Sequence, residues 1–431
     1  MRIKTTLFRS PAVLFALIIL SLPPLPTQAS EPENLLITYL ERYHRLSEKD
    51  VEGRLSLAQW CGYNQLFQQQ ADLLREVLTL QPGHITAYRD LLTADAHRTL
   101  PVDKQWAAKL ENLISPSFKL HHSPHFTLLS DADEQATTAQ AEALEATYQT
   151  FYQESARIGL HPMPPAGRLV CVLFRTYDDF SDYLKRYEGE ETGWAEGLYS
   201  WRTNRAAFYH DQDNPVFKDI REQIARIEQR LQDLRTEMDK TTSTAGRIKI
   251  QEQLKRLTAA HADMTTRLAF AARLSTNIKT RHEATHQLLY NSGIQRRGRE
   301  YPFWLAEGLA TVFELCDKEG HAGPKYVNVY RLKTFRDRQQ AGDKPTLAQL
   351  LTERPRTNED TSWVAGRYAQ VWALMHFFWN KRPTELQSFL QALDTEGTPR
   401  EWVSFFKSHF GEDLDGLDRE FRRYVDSLNP Q

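Results

Sequence analysis

Apolar residues at Ile220, Ile224, Ile227, Leu231, Leu234 and Met238 recur at alternating steps of four and three. The run Ile250, Leu254, Leu257, His261, Met264, Leu268 repeats the alternation. This is the spacing of an a/d seam, which keeps one narrow stripe turned toward a partner helix. The polar turn Thr241 to Gly246 separates the runs, and residues 216–273 hold no Pro and a single Gly. The segment predicts an antiparallel coiled-coil hairpin, with His261 packed and hydrogen-bonded on the seam. The register runs on through Ala271, Ser275 and Ile278 to His282 in the same steps. The second arm is therefore expected to continue into the helix that carries His282, making the hairpin either a rigid spacer or passive docking arm, or a handle through which a partner shifts that helix.

His282 opens the sequence His282-Glu283-Ala284-Thr285-His286. On a helix, residues four apart share a face, so both imidazoles can reach one ion. Glu283, turned by about 100° from His282, can sit beside that ion without binding it, where a general base toward a water belongs. The helix continues through Gln287-Leu288-Leu289-Tyr290 and meets the stop Asn291-Ser292-Gly293. Behind Pro302 comes Trp304-Leu305-Ala306-Glu307-Gly308-Leu309-Ala310, the start of a second helix. A catalytic zinc takes three protein ligands and keeps a fourth position open. Glu307 is the candidate third ligand, and Gly308 and Ala310 are expected to let its helix approach the first one closely.

Elsewhere the pattern divides the chain. Residues 30–116 read as helical, with one tetratricopeptide-type pair carried by Leu57-Ala58-Gln59-Trp60, Ala71, Leu74, Val77-Leu78 and Pro82. That region is either a helical cap or a peptide-binding groove. Residues 117–215 read as α+β: strands at His125–Leu129 and Arg168–Phe174, a helix over 133–158, another around Tyr177–Tyr187, and a hairpin over 197–209. Residues 274–431 read as helices at Ile278–Tyr290, Pro302–Cys316, Tyr326–Arg338, Trp363–Trp379, Glu385–Leu393, Trp402–Phe410 and Leu414–Leu428. The fold class expected is α+β, with the hairpin 216–273 inserted between its two halves.

Residues 1–29 read as a secretory leader: Arg2, Lys4 and Arg9, then the apolar run Ala12 to Leu22, then Thr27 and Ala29 before a cleavage point at Ser30. The apolar run is too short to span a bilayer. A formal charge of −2 over 431 residues excludes a broad basic footprint for nucleic acid or an anionic membrane surface. Cys61, Cys171 and Cys316 form neither a disulfide framework nor a zinc motif, and read as small buried apolar residues.

The motifs HEATHQL and WLAEGLATVFE resemble the gluzincin branch of the zinc metallopeptidases, in the peptidase MA-like clan. More narrowly, the chain is similar to secreted bacterial proteins of that clan in which a tetratricopeptide-like region precedes the peptidase-like domain. The likeness covers residues 275–430 firmly and 50–215 loosely. It implies His282, His286 and Glu307 as ligands of Zn2+, Glu283 as base and proton shuttle, and an edge strand within 197–210 to which a peptide substrate adds. It also implies an oxyanion stabiliser from the helical half: Tyr368 foremost, with Tyr330, His321 and His376 as alternatives. His376 reads otherwise as a core histidine.

Three features depart from the family pattern. The Gly-x-Met-Glu-Asn element of its aminopeptidases is absent, so the resemblance gives no support to an aminopeptidase. The place of an orienting Asp four residues after the ligand Glu is held by Thr311, leaving Glu314 either to substitute or to be exposed. The coiled-coil hairpin is an insertion. The expectation is an exported, periplasmic or secreted zinc metallopeptidase acting on a peptide or protein, with a possible protein partner on the hairpin or the helical cap. The alternative is a catalytically silent envelope scaffold that keeps the metal as a structural element, against which the intact Glu283 argues.

Overall fold

The computed structural model describes residues 31–98, 100–101, 117–189, 197–210, 214–353, 361–395 and 401–429. The expected leader, 1–29, lies outside the described residues. The chain divides after Arg98 into two compact units. This precedes the boundary expected at 116, although residues 102–116 are outside the described set.

The first unit contains helices α1 (Glu31–Tyr43), α2 (Val51–Tyr63), α3 (Phe67–Leu80) and α4 (Ile85–His97). Asp50 caps α2 by accepting from the Gly53 amide at 2.8 Å, and His84 caps α4 through Nδ1 at 3.0 Å from the Ala87 amide. Of the residues that mark the expected helix pair, Leu57, Ala58, Ala71, Leu74, Val77 and Leu78 are buried, Trp60 is half-buried, and Gln59 and Pro82 are exposed. The Arg54 guanidinium ties α2 to α3 through Glu76 at 2.7 Å.

The second unit is built on one five-stranded sheet. Its strands are β1 (Lys119–His122), β2 (Phe126–Ser130), β3 (Leu169–Phe174), β4 (Gly197–Ser200) and β5 (Arg205–Tyr209), in the order β1-β2-β3-β5-β4. β2, β3 and β5 run parallel, with Leu128 opposite Cys171 and Cys171 opposite Ala206. β1 and β4 are the antiparallel edges. The crossover from β2 to β3 is α5 (Glu134–Arg157). Central parallel strands are covered on both faces, which is why β3 reads as an unbroken apolar run, Leu-Val-Cys-Val-Leu-Phe. One face packs Leu129, Val172, Phe174, Ala207 and Tyr209 against Phe180, Tyr183 and Leu184 of α6 (Tyr177–Tyr183) and the π-turn that extends it to Glu188. Across the other face runs the helix that carries His282.

That helix, α8 (Thr244–Asn291), is one uninterrupted element of 48 residues, about 72 Å long. Its first half pairs with α7 (Lys218–Lys240) as a hairpin, with Ile224, Leu231, Leu234 and Ile250 buried along the seam. His261 is half-exposed there and bonds Glu228 at 2.9 Å. The last turns of α8 are pinned to the sheet by polar contacts. Buried Gln287 donates to the carbonyls of Val170 at 3.0 Å and Asn204 at 3.2 Å, while Cys171 Sγ lies 3.5 Å from its Oε1. Asn291 and Asn204 exchange amide hydrogen bonds at 2.7 and 3.1 Å. Asn204 closes the β4–β5 turn at a φ of 56°, a backbone region that Asn tolerates.

The remainder is helical: α9 (Phe303–Thr311), α10 (Val329–Gln340), α11 (Leu347–Thr352), α12 (Thr361–Lys381), α13 (Pro383–Thr395), α14 (Trp402–Phe410) and α15 (Leu414–Ser427). Trp304, Phe378, Phe389 and Phe406 form its aromatic centre. The described residues are thus mixed α+β, and no helix among them is long and apolar enough to cross a membrane. All three cysteines are buried free thiols.

Two expectations need correction. The helix predicted over Pro302–Cys316 stops at Thr311, because Leu315 bridges to Ala322 and Asp317 Oδ1 takes the amides of Glu319, Gly320 and His321. Gly308 does not face the metal helix. A Cβ there would meet the Val371 carbonyl at 3.2 Å and Met375 Cβ at 3.3 Å, so the close approach it permits is that of α12 onto α9.

Candidate metal centre

His282 and His286 project from the same side of α8, and Glu307 reaches them from the middle of α9. His282 Nε2 lies 3.0 Å from Glu307 Oε2, His286 Nε2 lies 3.4 Å from the same oxygen, and the two Nε2 atoms are 3.2 Å apart. Among the described residues this is the one group of three or more His, Cys, Asp or Glu side chains whose ligand atoms converge in this way. A tetrahedral zinc with bonds of about 2.0–2.1 Å spaces its ligand atoms about 3.3–3.4 Å apart, so the triangle has the dimensions of one face of such a site.

The donor chemistry points the same way. His282 Nδ1 lies 3.0 Å from Oε1 of Glu314, whose side chain is 1% exposed. Glu314 is held in turn by Arg331, at 2.6 and 2.8 Å, and by Asn328 Nδ2 at 3.4 Å. An ionised Glu314 takes a proton-bearing Nδ1, which leaves the His282 Nε2 lone pair facing the Glu307 carboxylate and the second imidazole. Three electron pairs meeting in a buried space require a cation among them, either a proton or a metal ion. In the metal-free chain it is a proton. Burial opposes a charge on His282, but the bonds to Glu307 and Glu314 overcome it and raise its pKa to about 10. Glu307 and Glu314 are held ionised against the cost of burial, Glu307 by the two histidines and Glu314 by Arg331 and His282. The residues present fit a zinc ion.

Glu314 therefore fills the orienting role for which Thr311 has the wrong chemistry; the Thr311 hydroxyl donates to the Gly308 carbonyl at 3.0 Å. Glu283 stands outside the triangle. Its Oε2 accepts the Tyr199 amide of β4 at 2.7 Å.

Of the four residues named for oxyanion stabilisation, Tyr368 is the one set against this cluster. Its ring centroid is 5.8 Å from that of His282, and the Arg331 guanidinium lies 5.5 Å from its ring centre. Burial first, then the carboxylates of Glu307 and Glu283, hold its phenol well above the usual range, so it stays a proton donor at neutral pH. His376 is a core histidine, bonded to the Tyr326 carbonyl at 3.1 Å and to the Tyr424 hydroxyl at 2.8 Å. His321 pairs with Asp317 at 2.7 Å, and Tyr330 sits in the first turn of α10. Arg331 and Gln287 were not singled out from the sequence. Nothing in the spacing marks Arg331, whereas Gln287 is a polar residue on a side of α8 that otherwise reads as apolar.

Residues 277–399 match a family model described as "Protein of unknown function (DUF1570)". The matched stretch contains His282, Glu283, His286, Glu307, Glu314, Arg331 and Tyr368 and excludes the coiled-coil hairpin. No curated protein matches the chain.

Proposed function

We propose that this chain is an exported zinc metallopeptidase of the gluzincin kind, hydrolysing peptide bonds in a peptide or protein substrate. The observation that carries the reading is the separation of roles on one helix turn. Three ligand atoms converge within 3.0–3.4 Å, while Glu283, adjacent in sequence, stays outside the triangle with its carboxylate bonded to the Tyr199 amide. A structural metal site needs the ligands but has no use for the base.

His282, His286 and Glu307 would hold the metal, with Glu314 and Arg331 fixing the ring of His282. When bound, Zn2+ supplies Lewis acidity, which eases ionisation of a water and polarises a carbonyl. Glu283 takes a proton from the attacking water as its oxygen bonds the carbonyl carbon. Tyr368 donates from its hydroxyl to the carbonyl oxygen as negative charge develops. Glu283 then passes the proton to the amine nitrogen as the C–N bond breaks. β4, at the sheet edge beside Glu283, is where an extended peptide adds as a further strand.

The test is cleavage of unfolded proteins and of peptides from the cell envelope by zinc-loaded protein. Glu283→Gln should keep the zinc and lose at least a hundredfold in rate. Cleavage unaffected by Glu283→Gln contradicts the reading. A chain that binds zinc yet cleaves nothing favours the scaffold.

A further inference from the structure

Glu283 is the group on which that chemistry depends, yet α8 alone leaves it a flexible side chain with several rotamers. What fixes it comes from the sheet. β4 is the last strand in the order, so among the described residues one side of it has no neighbouring strand. The Tyr199 N–H, being bonded to Glu283 Oε2 at 2.7 Å, points to that open side and not to β5. Backbone groups alternate along a strand, so Gly197, two residues earlier, presents its own N–H and C=O to the same side.

Gly197 also touches the glutamate. A Cβ at this position would lie 2.9 Å from Glu283 Cγ and 3.6 Å from its Cδ, closer than the side chain allows without moving. The absence of a side chain, and not any unusual backbone angle, is what Gly197 contributes: it leaves a notch in which the glutamate stem lies.

The strand that forms this notch is itself referenced to α8. The Tyr199 ring packs on Tyr290, centroids 5.5 Å apart, and its hydroxyl donates to Asn204 Oδ1 at 3.0 Å. Asn204 is locked to Asn291 by the paired amide bonds, and Gln287 binds the Asn204 carbonyl. Glu283, Gln287, Tyr290 and Asn291 lie along one side of α8, so strand and helix are joined on both sides of one narrow gap.

We propose that β4 is a positioning element for the base: the Gly197 notch and the Tyr199 amide hold the Glu283 carboxylate in one rotamer beside the His–His–Glu triangle. The sheet edge is then part of the proton-transfer apparatus as well as a template for substrate. Its catalytic consequence rests on the peptidase reading; the tether itself does not.

The test uses the full chain loaded with zinc. Gly197→Ala should lower kcat at least tenfold while zinc affinity stays within twofold of the parent, because no ligand moves. In the Glu283→Gln background the same change should cost no further residual rate, since the group being displaced is no longer a base. An unchanged kcat, or an equal loss in both backgrounds, overturns the proposal. A second readout needs no activity and no variant at 197: amide hydrogen exchange at Tyr199 should quicken at least tenfold in Glu283→Ala. An unchanged rate there overturns the tether, whereas quickened exchange in a chain that cleaves no peptide leaves it standing and refutes only the peptidase reading.

Discussion

Glu314 Oε1 lies 3.0 Å from Nδ1 of His282, joining the start of the loop after α9 to the last third of the metal helix, 32 residues earlier. The bond selects the Nδ1–H tautomer and aims Nε2 at Glu307. Partners of this kind tune metal affinity by about 10–100-fold. Glu314→Gln keeps the shape but removes the charge that Arg331 and His282 share, so zinc affinity should fall by about that factor. Competition titration with a chelating dye reads it.

Gln287 holds the metal helix on the sheet through two backbone carbonyls, those of Val170 and Asn204. Gln287→Leu fills similar space but removes both hydrogen bonds from this part-buried contact. A loss of about 1–3 kcal/mol is expected in denaturant unfolding of the second unit. Gln287→Glu should be no rescue, because a carboxylate cannot donate to either carbonyl.

At Gly308 the limit is steric. The Val371 carbonyl and Met375 stand 3.2–3.3 Å from where a Cβ would go. Gly308→Val should cost about 1–3 kcal/mol by forcing α12 off α9. Since Glu307 precedes it and Tyr368 lies on α12, zinc affinity should weaken as well, although 308 touches no ligand.

His376 makes stability depend on pH. Burial first of all lowers its pKa from 6.5 to about 4, and the bond to the Tyr326 carbonyl only partly opposes this. Below pH 6.5 the unfolded chain takes up a proton that the folded one refuses until about pH 4. Stability should therefore fall as the pH drops through that window, by about 3 kcal/mol from this residue, with no contribution above it. His376→Gln should flatten this part of the profile in unfolding measurements at pH 4.5 and 7.5; an equally steep variant would contradict the assignment.

The features legible in the sequence are those with local periods. The a/d spacing marked the hairpin, and its unbroken register into His282 matches the single helix Thr244–Asn291. The i, i+4 histidines share a face by helical geometry alone. β1, Lys-Leu-His-His, has one apolar residue and becomes a strand by pairing with β2, so no local pattern announces it. α11 was missed although Thr346 and Gln349 form a capping box, a signal that was present and short. The orientation of Gly308, the burial of Glu314 and the Arg331 bridge depend on how α9, α10 and α12 pack. Those relations exist only in three dimensions.

The central claim is that His282, His286 and Glu307 form one metal site that excludes Glu283. Elemental analysis of purified chains tests it directly. About one zinc per chain is expected in the parent and in Glu283→Gln, and loss of that zinc in His286→Ala and Glu307→Ala that remain folded. No zinc in the parent after exposure to it, or full occupancy in both ligand variants, would contradict the account.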